Sequence, residues 1–358
     1  MSDWAPMSRM SRALPWTSAI VLALALVAGA YAVGRSQPRP GRGPMLPEQI
    51  IADQSVRLWP NTTLEFNPDG MLLAVTGINS VGIWNVATLR HTHIVTTSIN
   101  DTVNGIVFSP DGTTLAIAAQ GPAAVRLWDM SAGRLQSSLP GPRNVGFYSP
   151  AFSPDGRLLA ASDDAGTDTY VWNVASRRVV AILHYPDAGI SSLAFSPDGR
   201  TLAVSEGLAA GQGKAFGTVH LWSLVTHRNT RALHDSGRLA VDTIAYGPDG
   251  RLLAASDRLR IYVWNVVTGK IARTIMVHQR SDIVATSLAF SSDGLHIAAT
   301  TNTGIAEVWD STTGELVKVF RDPLCSESFS LAYCPDGRTL AVGCVSGRID
   351  LWDASGLR

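Results

Sequence analysis

An excess of charge of either sign is missing from this chain of 358 residues: 29 lysines and arginines face 29 acidic residues, and the isoelectric point falls near 7.1. Without surplus positive charge to neutralise phosphates over a broad footprint, the composition argues against general nucleic-acid binding and leaves room only for a local patch. Cysteine is nearly absent too. Its three copies, Cys325, Cys334 and Cys344, crowd near the end, and an odd number cannot form a complete disulfide framework. If Cys334-Pro-Asp-Gly turns a hairpin, Cys334 lies opposite about Thr339 and Cys344 opposite about Phe329. No two cysteines face each other in that register, so three small buried thiols are expected. Cys-x-x-Cys spacing is missing as well, and no metal site is expected.

Catalytic signatures are equally scarce. The chain has no Gly-x-Ser-x-Gly elbow, no His-Glu-x-x-His and no Cys/His pair with an orienting acid, and its eight histidines are scattered. Gly213-Lys214 fails as a phosphate loop because Leu208 and Ala215 stand where glycine and a hydroxyl residue are needed. Asp163, Asp164 and Asp168 lack the ordered spacing of a calcium loop and read as a solvated acidic turn. No cofactor is expected. Helical periodicity is missing after residue 48.

What is present begins with one apolar run. Residues 17–34 carry no charge, and extending back to Ala13 makes 22 uncharged residues, about 30 Å of helix and enough to cross a hydrocarbon core. Residues 1–16 form an N-terminal tail. Arg9 and Arg12 precede the run and Arg35, Arg39 and Arg42 follow it, too even a balance to fix orientation. The run is expected to be a transmembrane anchor; a signal sequence cleaved near Ala28-Gly29-Ala30 or Ala30-Tyr31-Ala32 is the alternative, giving a secreted protein. Residues 35–47, with Pro38, Pro40, Pro44 and Pro47, read as a linker.

From residue 48 a single theme repeats. Phe152-Ser-Pro-Asp-Gly156 has six further copies or near copies, at Phe66, Phe108, Phe195, Tyr246, Phe290 and Tyr333, and the Asp-to-Asp steps are 42, 44, 43, 51, 44 and 43. That period belongs to a repeat architecture. Proline presets φ at the first turn position, Asp bonds backbone two residues on, and glycine admits positive φ, so the phrase reads as a hairpin turn and its carboxylate as geometry, not chemistry. A short apolar run follows each turn, such as Leu158-Leu159-Ala160-Ala161, then a second run ending in Trp, such as Val171-Trp172-Asn173. One more strand follows each Trp, as in Arg134–Leu139, making a four-stranded unit a, b, c, d.

With Trp-Asp or Trp-Asn closing strand c and Ser-Pro-Asp-Gly joining a to b, the chain resembles the WD-repeat β-propeller family over residues 48–358. The resemblance implies an all-β, seven-bladed propeller of four-stranded antiparallel blades, preceded here by one N-terminal hydrophobic helix. The seventh unit ends six residues after Trp352 and lacks a strand d. Val56-Arg57-Leu58-Trp59 copies Val125–Trp128, but Trp59 stands only seven residues before Phe66, with no room for a further strand. A strand near residues 48–54 is therefore expected to complete the seventh blade. The recurrent tryptophans read as core packed between blades. The family's hydrogen-bonded group of His, Ser/Thr, Asp and Trp is degenerate here. Ser162, Ser256 and Thr76 fit its hydroxyl position, Asp257 lies near its acid position, and His184, His234 and His278 are possible remnants of its histidine.

The resemblance implies a non-enzymatic interaction scaffold, a membrane-tethered propeller presenting variable loops to a protein or peptide partner. The alternative is an exported propeller enzyme, a lactonase-like hydrolase or an oxidoreductase, with its site at the channel mouth. Unit four carries the most distinctive departure: Gly199 to Trp222 spans 23 residues against 14 to 16 elsewhere, through an insertion at Glu206–Gly217. Binding is expected on the face of the b-to-c and d-to-a loops, with Arg143, Tyr148, His184, Tyr185, Lys214, Phe216, His234, Arg238, His278 and Arg280 as contacts. No catalytic residue is assigned, and the propeller is expected on the exported side.

Overall fold

The computed structural model describes residues 49–52, 62–77, 79–96, 102–120, 125–142, 145–185, 189–207, 217–234, 240–277 and 285–357. The expected anchor at 17–34, the linker at 35–47 and the Trp59 segment lie outside the described residues. Among those described, every regular element is a strand, and no helix is long and apolar enough to cross a membrane.

The strands form seven four-stranded sheets. Blade three is typical: Phe147–Phe152, Leu158–Asp163, Asp168–Asn173 and Arg178–His184 lie in sequence order, each antiparallel to the next. Strand a of each blade touches strand a of the next, and the contacts run through all seven and back to the first. Blade seven supplies Ser328–Tyr333, Thr339–Cys344 and Arg348–Asp353 from the end of the chain, and Gln49–Ala52 joins it as the fourth strand. Gln49 stands opposite Leu351 and Ala52 opposite Arg348. The ring thus closes with a strand from the front of the chain, which covers the edge that three strands alone would leave open.

The repeated phrase makes the turn its residues dictate. In blade three the Gly156 amide donates to the Ser153 carbonyl at 2.8 Å, and Gly156 takes φ of 69°, which glycine adopts without a Cβ penalty. Asp155 Oδ1 accepts from the Ser153 hydroxyl at 2.6 Å and from the Arg157 amide at 3.0 Å, so this carboxylate staples the hairpin. Those bonds, the Ser153 hydroxyl first, hold its pKa below the ordinary value.

Packing between blades is apolar. Trp172 and Trp264 are fully buried, Trp84, Trp309 and Trp352 nearly so, and Trp128 and Trp222 are half-buried. In six blades the tryptophan sits at a register shift between strands c and d, as between Val171 and Trp172, a local bulge that re-aims the ring. Trp172 packs against Phe147 with centroids 5.4 Å apart, in a cluster with Leu127, Leu159 and Tyr170.

The cysteines correct the sequence expectation. Cys325 and Cys344 form a disulfide, and Cys334 alone is a free buried thiol. The hairpin register missed this because Cys325 lies outside the hairpin. A turn whose Cys325 amide donates to the Asp322 carbonyl at 3.1 Å folds the d-to-a loop back over strand b. Within the hairpin, Cys344 faces Ser328, not Phe329, because a bulge intervenes before Ser330.

Candidate functional site

Antiparallel order within a blade puts the end of strand b, the start of c, the end of d and the start of the next a on one edge. The b-to-c and d-to-a loops therefore share a face, and the a-to-b and c-to-d turns share the other. Of the ten expected contact residues, Tyr148, His184, Tyr185 and His234 are placed, while Arg143, Lys214, Phe216, Arg238, His278 and Arg280 lie outside the described residues.

The placed residues fall on blades three and four. Tyr148 begins strand a of blade three, and its hydroxyl accepts from Gln120 Nε2 at 3.0 Å, linking two blades at the loop face. Burial pushes its pKa up; the Gln120 bond opposes this and the Asp164 charge adds to it. His184 ends strand d, and its Nδ1 lies 2.5 Å from Asp168 Oδ1 at the start of strand c. The pair is directly cross-strand, with the histidine ring well exposed. His234 occupies the same position in blade four, its Nδ1 3.2 Å from Thr218 Oγ1. Neither histidine bonds a tryptophan or a strand-b hydroxyl, so neither fills the family's histidine position. Tyr185 differs: it is 6% exposed, with its ring 5.3 Å from His220 and 5.7 Å from Trp222, and offers the surface little.

Two of the three expected hydroxyl positions act within their own blades, while the buried Ser256 hydroxyl makes no hydrogen bond among the described residues. Thr76 Oγ1 accepts from the Thr63 amide at 2.7 Å, and the Ser162 hydroxyl donates to the Tyr148 carbonyl at 3.3 Å. Both partners belong to strand a or its approach, so these groups secure the inner edge of the blade. Asp257, buried at 1% exposed, caps the b-to-c turn of blade five by accepting from the Leu259 and Arg260 amides at 2.7 and 2.6 Å.

Sequence reading missed a network beneath the insertion. Strand b of blade four ends at Gly207 and strand c begins at Thr218; residues 208–216 lie outside the described residues. At the foot of this loop Glu206 Oε1 lies 2.7 Å from His220 Nε2, and His220 Nδ1 lies 2.6 Å from Asn229 Nδ2. Burial raises the Glu206 pKa, but bonds from His220 and Thr218 and the charges of His220 and His234 outweigh it, leaving the carboxyl below its ordinary value. In sequence Glu206 and His220 stand on either side of the insertion, and only the strand pairing brings them together.

The acidic turn of blade three separates by role. Asp163 Oδ1 accepts from the Thr167 and Asp168 amides at 2.9 and 3.1 Å, Asp168 holds His184, and the exposed Asp164 stands apart. Burial raises the Asp163 pKa against those amide bonds. On blade five, burial pushes Asp242 up to about 6, with Arg258 opposing and Asp257 adding. In blade seven Arg348 pairs with Asp322 and, at 2.7 Å, with Asp350. Ligand atoms of Cys325, Cys344 and Asp350 lie within 4.8 Å of one another, but the two sulfurs are bonded to each other, which removes the thiolates a metal would need. These groups pair with one another around the rim, an arrangement suited to holding loop stems and hydrogen-bonding a polar partner.

Seven closed sheets in a ring define a seven-bladed β-propeller. The family model "WD domain, G-beta repeat" matches residues 177–211, 269–310 and 314–353 of this ring. The last two segments run from the d end of one blade through strand c of the next. Among relatives, the chain is similar to the Periodic tryptophan protein 2 homolog of Schizosaccharomyces pombe, at 29% identity over 36% of this chain and 15% of that protein. It is also similar to WD repeat-containing protein SL1-17 of Schistosoma mansoni, at 31% identity over 38% of this chain and 43% of that protein. The matched region thus spans less than half the length of either relative. A chain in the crystal structure of the mitotic checkpoint complex superposes with a TM-score of 0.74 at 19% identity, covering 92% of this chain and 98% of its own, a likeness of fold.

Proposed function

We propose that the protein is a non-enzymatic interaction scaffold, a propeller held at a membrane through residues 17–34 that offers its b-to-c and d-to-a loops to a protein or peptide partner. The observation carrying this reading is the insertion of blade four, whose two stems are fixed at the loop face by the Glu206–His220 pair and the Thr218–His234 contact. A long loop on a rigid, polar base costs little of its stem's order on binding. Lys214 and Phe216 of the insertion, with Tyr148, His184 and His234, are the proposed contacts, and Arg143, Arg238, His278 and Arg280 complete the set. The Cys325–Cys344 disulfide supports a propeller on the oxidising, exported side, where such bonds persist.

The test pairs two measurements. Lys214→Ala/Phe216→Ala should abolish cross-linked recovery of a partner from native membranes while leaving the melting temperature unchanged; an identical recovery profile removes the loop from the interface. Deleting residues 1–34 should move the protein from the membrane to the soluble fraction, and retention on the membrane refutes the tether.

A further inference from the structure

The opposite face, where the a-to-b turns lie, departs from its own repeat at one seam. Around the ring the turn glycine of each blade rests against the turn proline of the blade before it; a Cβ on Gly250 would lie 3.4 Å from Pro197 Cδ, and one on Gly294 3.2 Å from Pro248 Cδ. Six turns carry that proline. In blade six Ser292 replaces it, and Gly337 of blade seven meets a serine hydroxyl instead.

Three more departures converge at the same seam. The residue opening strand b is Leu or Thr in six blades (Leu72, Thr114, Leu158, Thr201, Leu252, Thr339), but His296 in blade six. The second residue after the strand-c tryptophan is a packed apolar side chain in blades one to five, Val86, Met130, Val174, Leu224 and Val266, but Ser311 in blade six and Ala354 in blade seven, and of these two Ala354 faces the seam. Tyr333 stands where five blades have Phe, a change it shares with Tyr246 of blade five.

Ser292, His296, Tyr333 and Ala354 all line one cavity of about 400 Å³ between blades six and seven, together with Asp293, Asp336 and Arg338. Loss of a proline ring and of a branched side chain opens the space, and the hydroxyls and imidazole line it. His296 is only 6% exposed. Its amide is fixed to Ser291 Oγ at 3.0 Å, and it stands directly across the ladder from Asp310, whose charge it interacts with. The Tyr333 hydroxyl is buried without a partner. Buried polar groups normally have partners, and each exception asks for one.

We propose that this seam is a binding site for a small zwitterion of the free α-amino-acid class. The volume lies in the range of small-molecule sites. Carboxylates from two adjacent turns, Asp293 and Asp336, each already accepting a turn amide through Oδ1, would repel an anion, and a bare cation would leave Arg338 and the Tyr333 hydroxyl without an acceptor. A ligand carrying both charges without net charge avoids both penalties: its ammonium goes to the carboxylates, and its carboxylate to Arg338 with the Tyr333 hydroxyl and His296 as further donors.

Calorimetric titration of the full-length protein with glycine, L-serine and L-glutamine, against D-glucose and inorganic phosphate, tests this. At least one of the amino acids should bind, and Ser292→Pro/His296→Leu/Ala354→Val, which restores the residues of the other blades, should weaken it by about tenfold or more at an equal or higher melting temperature. Should that variant fail to fold, Arg338→Ala at an exposed position should weaken binding by about tenfold instead. Failure of every amino acid to bind, binding of glucose or phosphate alone, or unchanged affinity in the folded variants overturns the assignment. The loop-face scaffold does not depend on this result.

Discussion

Glu65 offers a clean measurement of what the ring's interior costs a carboxyl group. It lies on the innermost strand of blade one, Leu64–Phe66, opposite Ala74, which belongs to the apolar cluster of Ile106 and Phe108. The same position holds Val107, Ala151, Ala194, Ala245, Ala289 and Ala332 in the other blades. Burial alone pushes the Glu65 carboxyl from 4.5 up to about 8. Because the folded chain holds this proton more tightly than the unfolded chain, stability is greatest below pH 4.5, falls as pH rises toward about 8, and is level beyond. At pH 7 the full shift would cost roughly 3 kcal/mol at about 1.4 kcal/mol per unit. The residue is only partly buried, and screening leaves about 2 kcal/mol. With an unfolding entropy of about 2.1 cal/mol/K per residue over a propeller of about 310 residues, that is about 3 °C in melting temperature. Glu65→Gln should therefore melt about 3 °C above the parent at pH 7 to 8, and the advantage should vanish near pH 4.5, read by thermal unfolding across that range. Other carboxyls titrate in the same window, so the difference between the two proteins is the quantity to follow. A gap that does not change with pH refutes a raised Glu65 carboxyl.

Three further outcomes are expected. Removing residues 48–58 uncovers the edge of blade seven and should lower the melting temperature by at least about 5 °C; unaltered melting sinks the closure scheme. Cys344→Ser, or reduction, opens a cross-link between residues 19 apart and should cost about 2 to 4 kcal/mol in denaturant titration, whereas Cys334→Ser, which leaves that cross-link in place, should keep the parent's stability without reductant and the parent's loss with it. Gly304→Ala should destabilise by several kcal/mol: Gly304 has φ of 73°, and a Cβ there would fall 1.8 Å from the Cys325 carbonyl oxygen. Denaturant midpoints within error of the parent would show that the loop carrying Cys325 yields freely.

Most of the architecture was readable from one phrase, because Pro, Asp and Gly impose the same local turn wherever they stand in that order, and seven turns at a steady period leave one ring. The missing strand d was equally legible, since a unit lacking an edge strand implies a donor elsewhere. The candidate site was not. Cross-strand pairs such as Asp168 with His184 depend on the c-to-d register, and Glu206 with His220 bridges an insertion. The disulfide depends on a loop path that no repeat period encodes. The cavity at the blade six and seven seam was written in the sequence as departures from the repeat. Its meaning needed the ring, because residues 292, 296, 333 and 354 meet only when neighbouring blades are set side by side.

The four-residue closing strand also makes the ring mechanically uneven. Any load transmitted along the chain from ahead of Gln49 enters at the short ladder between Gln49–Ala52 and Arg348–Leu351, before it reaches any other blade. The next strands inward carry the Cys325–Cys344 cross-link and the Arg348 clamp on Asp322 and Asp350. Blade seven thus sets a weak clasp against a reinforced plate: under tension the clasp should open first and pass the load along the chain to Leu64–Phe66 of blade one, while the cross-linked strands keep the edge on which the clasp can shut again.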